Sequence, residues 1–174
     1  PDAPHAWGEV YLYWAQAFIG EDEPPEMDLS FMADMWSNAT ESAERYNSPG
    51  LFTAFIGYEW TSGPAGNNLH RVVVYRGDKE EADQVVPCSA LESSDPERLW
   101  DWMEAYEADT GGRVLAIAHN GNLSNGLMFD DVTLTSREPL DEGYAKRRRA
   151  WEPLYEVTQM KGDGEAHPSL SPDD

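Results

Sequence analysis

The chain has 174 residues, enough to bury the core of one domain, and its 33 acidic and 12 basic residues leave a net charge of -21. Such a surface repels nucleic acid and anionic membranes, so neither is an expected partner, and no apolar run reaches the length of a membrane span. Lysine stands only at positions 79, 146 and 161, a pattern that suits a high-salt habitat as well as it suits an ordinary acidic protein.

Trp7 to Ile19 places aromatic and aliphatic residues at helical spacing, and Glu21-Asp22-Glu23-Pro24-Pro25 breaks the pattern. Asp28 caps a second predicted helix that runs to about Tyr46, where Asn47-Ser48-Pro49-Gly50 stops it. Phe52 to Tyr58 reads as a buried strand, Thr61 to Asn68 as a Gly- and Asn-rich loop, and Arg71 to Arg76 as a second strand. Cys88 is the only cysteine, which excludes a disulfide framework and a cysteine zinc cluster; after Val85-Val86-Pro87 it reads as a core or loop residue. Asp95-Pro96-Glu97 is a helix start, with Leu99, Trp100, Met103 and Tyr106 on one face and Gly111-Gly112 as the stop. A strand over Arg113 to Ala118 follows, then an Asn/Gly loop to Gly126. A charged helix from about Asp141 to Trp151 precedes a short strand, Leu154 to Gln159; Arg147-Arg148-Arg149 reads as a solvated face of that helix. Strand and helix alternate, which predicts an α/β fold, with residues 1–50 as a helical insertion and 51–174 as the α/β domain. The chain opens on Pro1 and closes on Ser171-Pro172-Asp173-Asp174, so it is expected to be an internal piece of a longer protein; no signal peptide is visible and the compartment is left open.

Three segments carry the chemistry. Phe52-Thr53-Ala54-Phe55-Ile56 leads into Glu59, and Val114-Leu115-Ala116-Ile117-Ala118 leads into His119. Functional side chains collect at strand ends in α/β sheets, and a carboxylate in apolar surroundings needs a partner. Glu59 is therefore expected to be a metal ligand, or else one half of an ion pair with an arginine. His119 opens His-Asn-Gly-Asn, where glycine lets the backbone approach a ligand and imidazole suits zinc, iron or manganese. His70, in Asn67-Asn68-Leu69-His70-Arg71, precedes a strand, so it reaches the same site only if the Thr61–Asn68 loop doubles back as a hairpin. Asn120, Asn122 and Asn125 are candidates to orient ligands or bind substrate, although Asn and Gly favour turns on their own account. Asn68 and Arg71 are placed in the same supporting set. Lys161-Gly162-Asp163-Gly164-Glu165-Ala166-His167 mixes a cation, acids and a histidine, so Lys161, Glu165 and His167 either face substrate or form an exposed turn. No phosphate-binding P-loop, dinucleotide glycine fingerprint or Gly-x-Ser-x-Gly elbow is present, which turns the Glu/His set toward metal-assisted hydrolysis. An EF-hand-like calcium loop is absent as well.

The segments Ala43-Glu44-Arg45-Tyr46-Asn47, Phe55-Ile56-Gly57-Tyr58-Glu59-Trp60-Thr61, Asn67-Asn68-Leu69-His70-Arg71, Gly111 through Gly126 and Glu156-Val157-Thr158-Gln159-Met160-Lys161-Gly162-Asp163 resemble a known family. It is catalogued as domain of unknown function 3604, within the PHP (polymerase and histidinol phosphatase) superfamily. The resemblance spans nearly the whole chain and is densest from Trp36 to His167. It implies part of a distorted (β/α)7 barrel, with the N-terminal helices as an insertion, and two or three divalent ions (Mn, Zn or Fe) in the intact protein. On that pattern Glu59, His70 and His119 are the middle group of metal ligands, Glu59 being the carboxylate able to bridge two ions. Glu59 and His119 would serve catalysis, by attack of a metal-bound hydroxide on a phosphoester. Two departures stand out. The His-x-His segment that usually opens the family and the Asp-x-His segment that closes it are absent, and Ala118 stands where proline is commoner.

The expected function is thus a metal-dependent phosphoester hydrolase acting on a small anionic substrate, inactive in this piece alone if the missing ligands are essential. The competing expectation is a degenerate, non-catalytic domain that binds a ligand or partner through its acidic, Trp-rich surface. Absent barrel strands would leave sheet edges unpaired, so self-association or a partner chain is expected as well.

Overall fold

The computed structural model describes residues 6–19, 28–165 and 167–169. Two helices come first, α1 (Ala6–Ile19) and α2 (Leu29–Tyr46). Asp28 caps α2 as its spacing predicts, its carboxylate accepting from the Ser30 N–H at 2.8 Å. A hairpin follows, β1 (Gly57–Trp60) and β2 (Arg71–Tyr75), then one short turn of helix, α3 (Lys79–Ala82). α4 (Pro96–Thr110) begins on the Asp95 cap and stops at Gly111, whose φ of 74° is the left-handed conformation that glycine adopts without strain. It leads to β3 (Val114–Ala118), and α5 (Glu142–Trp151) leads to β4 (Leu154–Tyr155). A separate small hairpin, β5 (Thr158–Gln159) with β6 (Gly162–Asp163), ends the described chain.

The main sheet has the order β1-β2-β3-β4. The first three strands are antiparallel neighbours and β4 joins β3 in parallel. The fold is therefore mixed α/β, as the alternation of elements predicts, but the sheet is open, and no closed barrel exists among the described residues. Its two faces differ. Tyr58 and Trp60, Arg71, Val73 and Tyr75, and Val114, Ala116 and Ala118 share one face by strand alternation. That face is the core, where Trp60, Val73, Tyr75 and Ala116 pack with Leu99, Trp100, Met103 and Tyr106 of α4. Trp36 of α2 joins the same cluster and donates its indole N–H to the Ala82 carbonyl at 2.9 Å. Glu59, Val72 and Leu154 lie on the opposite face, which stays open to solvent.

Two expectations require correction. The apolar run Phe52 to Ile56 is not part of the strand; β1 starts at Gly57. β2 bends away at Arg76-Gly77, so residues N-terminal to Ile56 find no partner in the main sheet; Phe52 bridges only Ser48, and Phe52 and Phe55 are left 62% and 69% exposed. The predicted strand Leu154 to Gln159 is two, β4 and β5, because the chain leaves the main sheet at Glu156 to form the small hairpin. The four-residue α3 had no forecast; Asp78 caps it by accepting from the Glu80 and Glu81 N–H groups.

Candidate metal centre

The β1–β2 hairpin is what His70 needs to reach Glu59. Glu59 sits within β1, opposite Val72, rather than beyond the strand's end, and His70 stands one residue before β2. His119 follows β3 directly, and its N–H donates to the His70 carbonyl at 3.2 Å, extending the β2–β3 ladder by one rung. Alternation then puts all three side chains on the open face. Their ligand atoms lie within 4.8 Å of one another. Glu59 Oε1 is 2.9 Å from His70 Nδ1 and 3.3 Å from His119 Nε2, and the imidazole rings meet edge to face with centroids 5.6 Å apart.

The donor set fits a divalent ion. The 2.9 Å contact lacks hydrogen-bond alignment, so His70 Nδ1 is buried with no hydrogen-bond partner, and so is His119 Nδ1. An unpaired buried nitrogen is costly, and at His70 Nδ1, 2.9 Å from Glu59 Oε1, a cation in the cluster would relieve the cost; His119 faces the same oxygen with Nε2 instead, at 3.3 Å. Ligand atoms about 2.1 Å from one ion stand about 3.4 Å apart in a tetrahedron, so the cluster closes on an ion with side-chain shifts of order 1 Å. Burial pushes the His70 pKa below its ordinary value against the pull of Glu59, with His119 and Lys161 lowering it further. His70 is thus neutral at pH 7, the form that ligates metal. The Glu59 side chain is 48% exposed, against 14% and 10% for the two histidines, so the site opens on the carboxylate side.

The turn after His119 is tightly built. Asn120 is buried at φ 57°, and its N–H donates to Glu156 Oε2 at 3.2 Å. Gly121 admits no side chain: a Cβ there would stand 2.0 Å from the Tyr155 hydroxyl oxygen and 2.9 Å from the Gly164 carbonyl oxygen. Asn122 donates from Nδ2 to the Lys161 carbonyl at 3.2 Å. Asn120, Asn122 and Lys161 are therefore brought to the cluster's flank. Asn125 is an exposed turn residue at φ 54°. Asn68 ties the two loops through its N–H, which donates to the Leu123 carbonyl at 3.0 Å.

Other candidates lie elsewhere. Arg71 is on the core face and 1% exposed; its Nε donates to Glu152 Oε1 at 2.9 Å, so its charge is spent inside the fold. Glu165 and His167 are exposed, and His167 Nδ1 contacts the Ser169 hydroxyl at 2.8 Å rather than the cluster. Glu156 and Gln159 escaped the sequence reading although both brace the His119 turn. They sit in a stretch that reads as one strand, and only the break into a separate hairpin turns them toward Asn120. Beside Glu59 an apolar groove of about 380 Å³ opens between α2 and residues 86–90, with Met32, Met35 and Tyr58 among its walls.

Over residues 3–174 the chain matches the model of a family described as a protein of unknown function, DUF3604. The chain belongs to this family. No curated protein matches it, and no solved structure does. The Glu59–His70–His119 cluster of this DUF3604 chain thus stands on its own geometry.

Proposed function

We propose that this DUF3604 chain carries part of the active site of a metal-dependent hydrolase, acting on phosphoesters in the manner of the PHP superfamily that its motifs resemble. The observation that carries the reading is the convergence of Glu59, His70 and His119 on one open sheet face within 4.8 Å. A divalent ion held there, manganese, zinc or iron, supplies Lewis acidity and lowers the pKa of water. The chain's own residues do the rest. His70 and His119 bind as neutral imidazoles. Glu59 offers one oxygen toward both histidines, and its exposed side leaves room for a second ion and for substrate. Asn120 and Glu156 hold the His119 turn in place. Three protein ligands leave coordination positions free, as hydrolytic sites require.

Two observations favour a second reading. The apolar groove beside Glu59 and the bare sheet face suit a non-catalytic domain that docks a ligand or partner.

Elemental emission on the purified chain separates the two. Manganese, zinc or iron at close to one ion or more per chain is expected, falling to background in the Glu59→Ala/His119→Ala double variant. A panel of phosphomonoesters and phosphodiesters then reports turnover. Equal metal in both proteins would sink the site, and full metal without turnover on any ester would favour the binding module.

A further inference from the structure

The β1 edge of the main sheet and the apolar groove beside it form one surface. The ladder between β1 and β2 uses alternate residues: the Tyr75 N–H donates to the Ile56 carbonyl at 2.9 Å, and the Leu69 N–H to the Ser62 carbonyl at 2.9 Å. In that register Tyr58 and Trp60 also face β2, so the backbone N–H and C=O groups of Gly57, Glu59 and Thr61 point the other way. β1 is the first strand of the sheet, and among the described residues these outward groups have no hydrogen-bond partner. The same three residues line the groove of about 380 Å³, together with Met32 and Met35 of α2 and residues 86–90. Phe31 and Met35, which also line it, are more than half exposed.

The two features ask for different things. Unpaired edge groups need another backbone, and the groove needs apolar side chains. An extended chain supplies both, because its backbone continues the ladder while every second side chain turns into the groove. A small apolar ligand would leave the edge unpaired. The surroundings also select a charge. Segments 28–40, 55–69 and 84–94, from which the groove is built, carry Asp28, Asp34, Glu59 and Glu92 and neither lysine nor arginine. A second copy of the chain suits the edge poorly. A two-fold pairing that engages all three outward residues sets Glu59 opposite Glu59, and each copy carries a net charge of -21. That leaves the sheet face, not this edge, for contacts between copies.

We propose that β1 is a docking edge for an extended, basic segment of a partner polypeptide, taken up by strand addition with apolar side chains at alternate positions seated in the groove. About five residues span the edge from Gly57 to Thr61 at roughly 3.4 Å each. The assignment uses the backbone of β1 and the α2 wall, so it stands apart from the metal-site reading.

The test titrates the purified chain into a fluorescently labelled short peptide that alternates valine and lysine, read by anisotropy, with metal content measured in the same samples. Saturable binding is expected, with hydrogen-exchange protection gained at the Gly57, Glu59 and Thr61 N–H groups. The same peptide N-methylated along its backbone keeps its charge but cannot pair, and should bind about 10-fold or more weaker. Met35→Lys, at an exposed position, should weaken binding about 10-fold by replacing an apolar contact with a like charge. Thr61→Pro removes one outward donor, a change edge strands tolerate, and should cost a few-fold. No saturable binding, equal binding of the N-methylated peptide, or affinity unmoved by Met35→Lys overturns the docking edge. Equal affinity for a valine/glutamate peptide overturns the basic partner. A wild-type dimer that Thr61→Pro dissolves assigns the edge to a second copy and overturns the proposal as well. Absence of metal from the samples bears on the metal centre alone and leaves these expectations in place.

Discussion

Glu152 shows how much a single buried carboxylate does here. Its side chain is 2% exposed, and it accepts from Arg71 Nε and Trp100 Nε1 at 2.9 Å and from Arg148 Nε at 3.2 Å. Burial raises its pKa, but Arg71 and Arg148 pull harder, and the net result lies below the ordinary value of 4.5. A carboxylate with a depressed folded pKa stabilises the fold above its unfolded pKa and loses that contribution as pH falls through the folded value. Glu152→Gln is therefore expected to cost about 3–5 kcal/mol near neutrality, since it leaves Arg71 buried without its counter-charge. Denaturant titrations of both proteins at several pH values should show the gap closing below about pH 4.5. A gap that stays constant into acid would contradict the assignment. Arg71 itself illustrates what one-dimensional reading misses. Its neighbour His70 reaches the candidate site, and the same alternation that sends His70 to the open face sends Arg71 into the core.

At the scale of elements, the helices were legible and the strand ends were not. Asp28, Asp95 and Asp141 each accept from an N–H in the first turn, and Gly111 closes α4, all local chemistry written in adjacent residues. The mistaken strand at Phe52 to Ile56 has apolar residues of the right kind, but strand pairing is a property of the partner, and β2 has already bent away. The convergence of the three residues was legible only in part: His119 follows the apolar strand β3, whereas the apolar run before Glu59 lies outside β1, and His70 was readable only conditionally, since a hairpin had to be assumed. The bracing by Glu156 and Gln159 was not readable, because it depends on where the chain leaves the sheet. The tight fit of the His119 turn against β4 gives an element-level prediction. Gly121→Ala drives a methyl group into the Tyr155 hydroxyl, which itself donates to the Gly164 carbonyl at 2.7 Å. We expect a loss of about 1–3 kcal/mol and weakened metal uptake, measured by thermal melts and elemental emission. A variant as stable and as metal-loaded as wild type would show that the turn tolerates displacement.

At the scale of the whole molecule, the sheet is covered on one face only among the described residues. The core face is closed by α4 and α5, while Val72 and Leu154 on the other face are 37% and 56% exposed, and Phe55, which lines a groove with Val74 and Leu115, is 69% exposed. β1 is an edge strand, and its Gly57, Tyr58 and Glu59 line the Met32–Met35 groove. Open edges and apolar faces of this kind associate, so light scattering after gel filtration is expected to show concentration-dependent oligomers. Val72→Lys with Leu154→Glu should shift the population toward monomer. A monodisperse monomer at every concentration would rule this out.

The ligand geometry has a mechanical consequence too. Glu59 and His119 are 60 residues apart in the chain, and His70 sits between them in sequence. An ion gripping all three would act as a removable rivet through β1, β2 and β3, closing the long loop that contains α3 and α4. Chelators would then loosen the sheet itself, and the protein's survival against proteases would track the supply of ions around it.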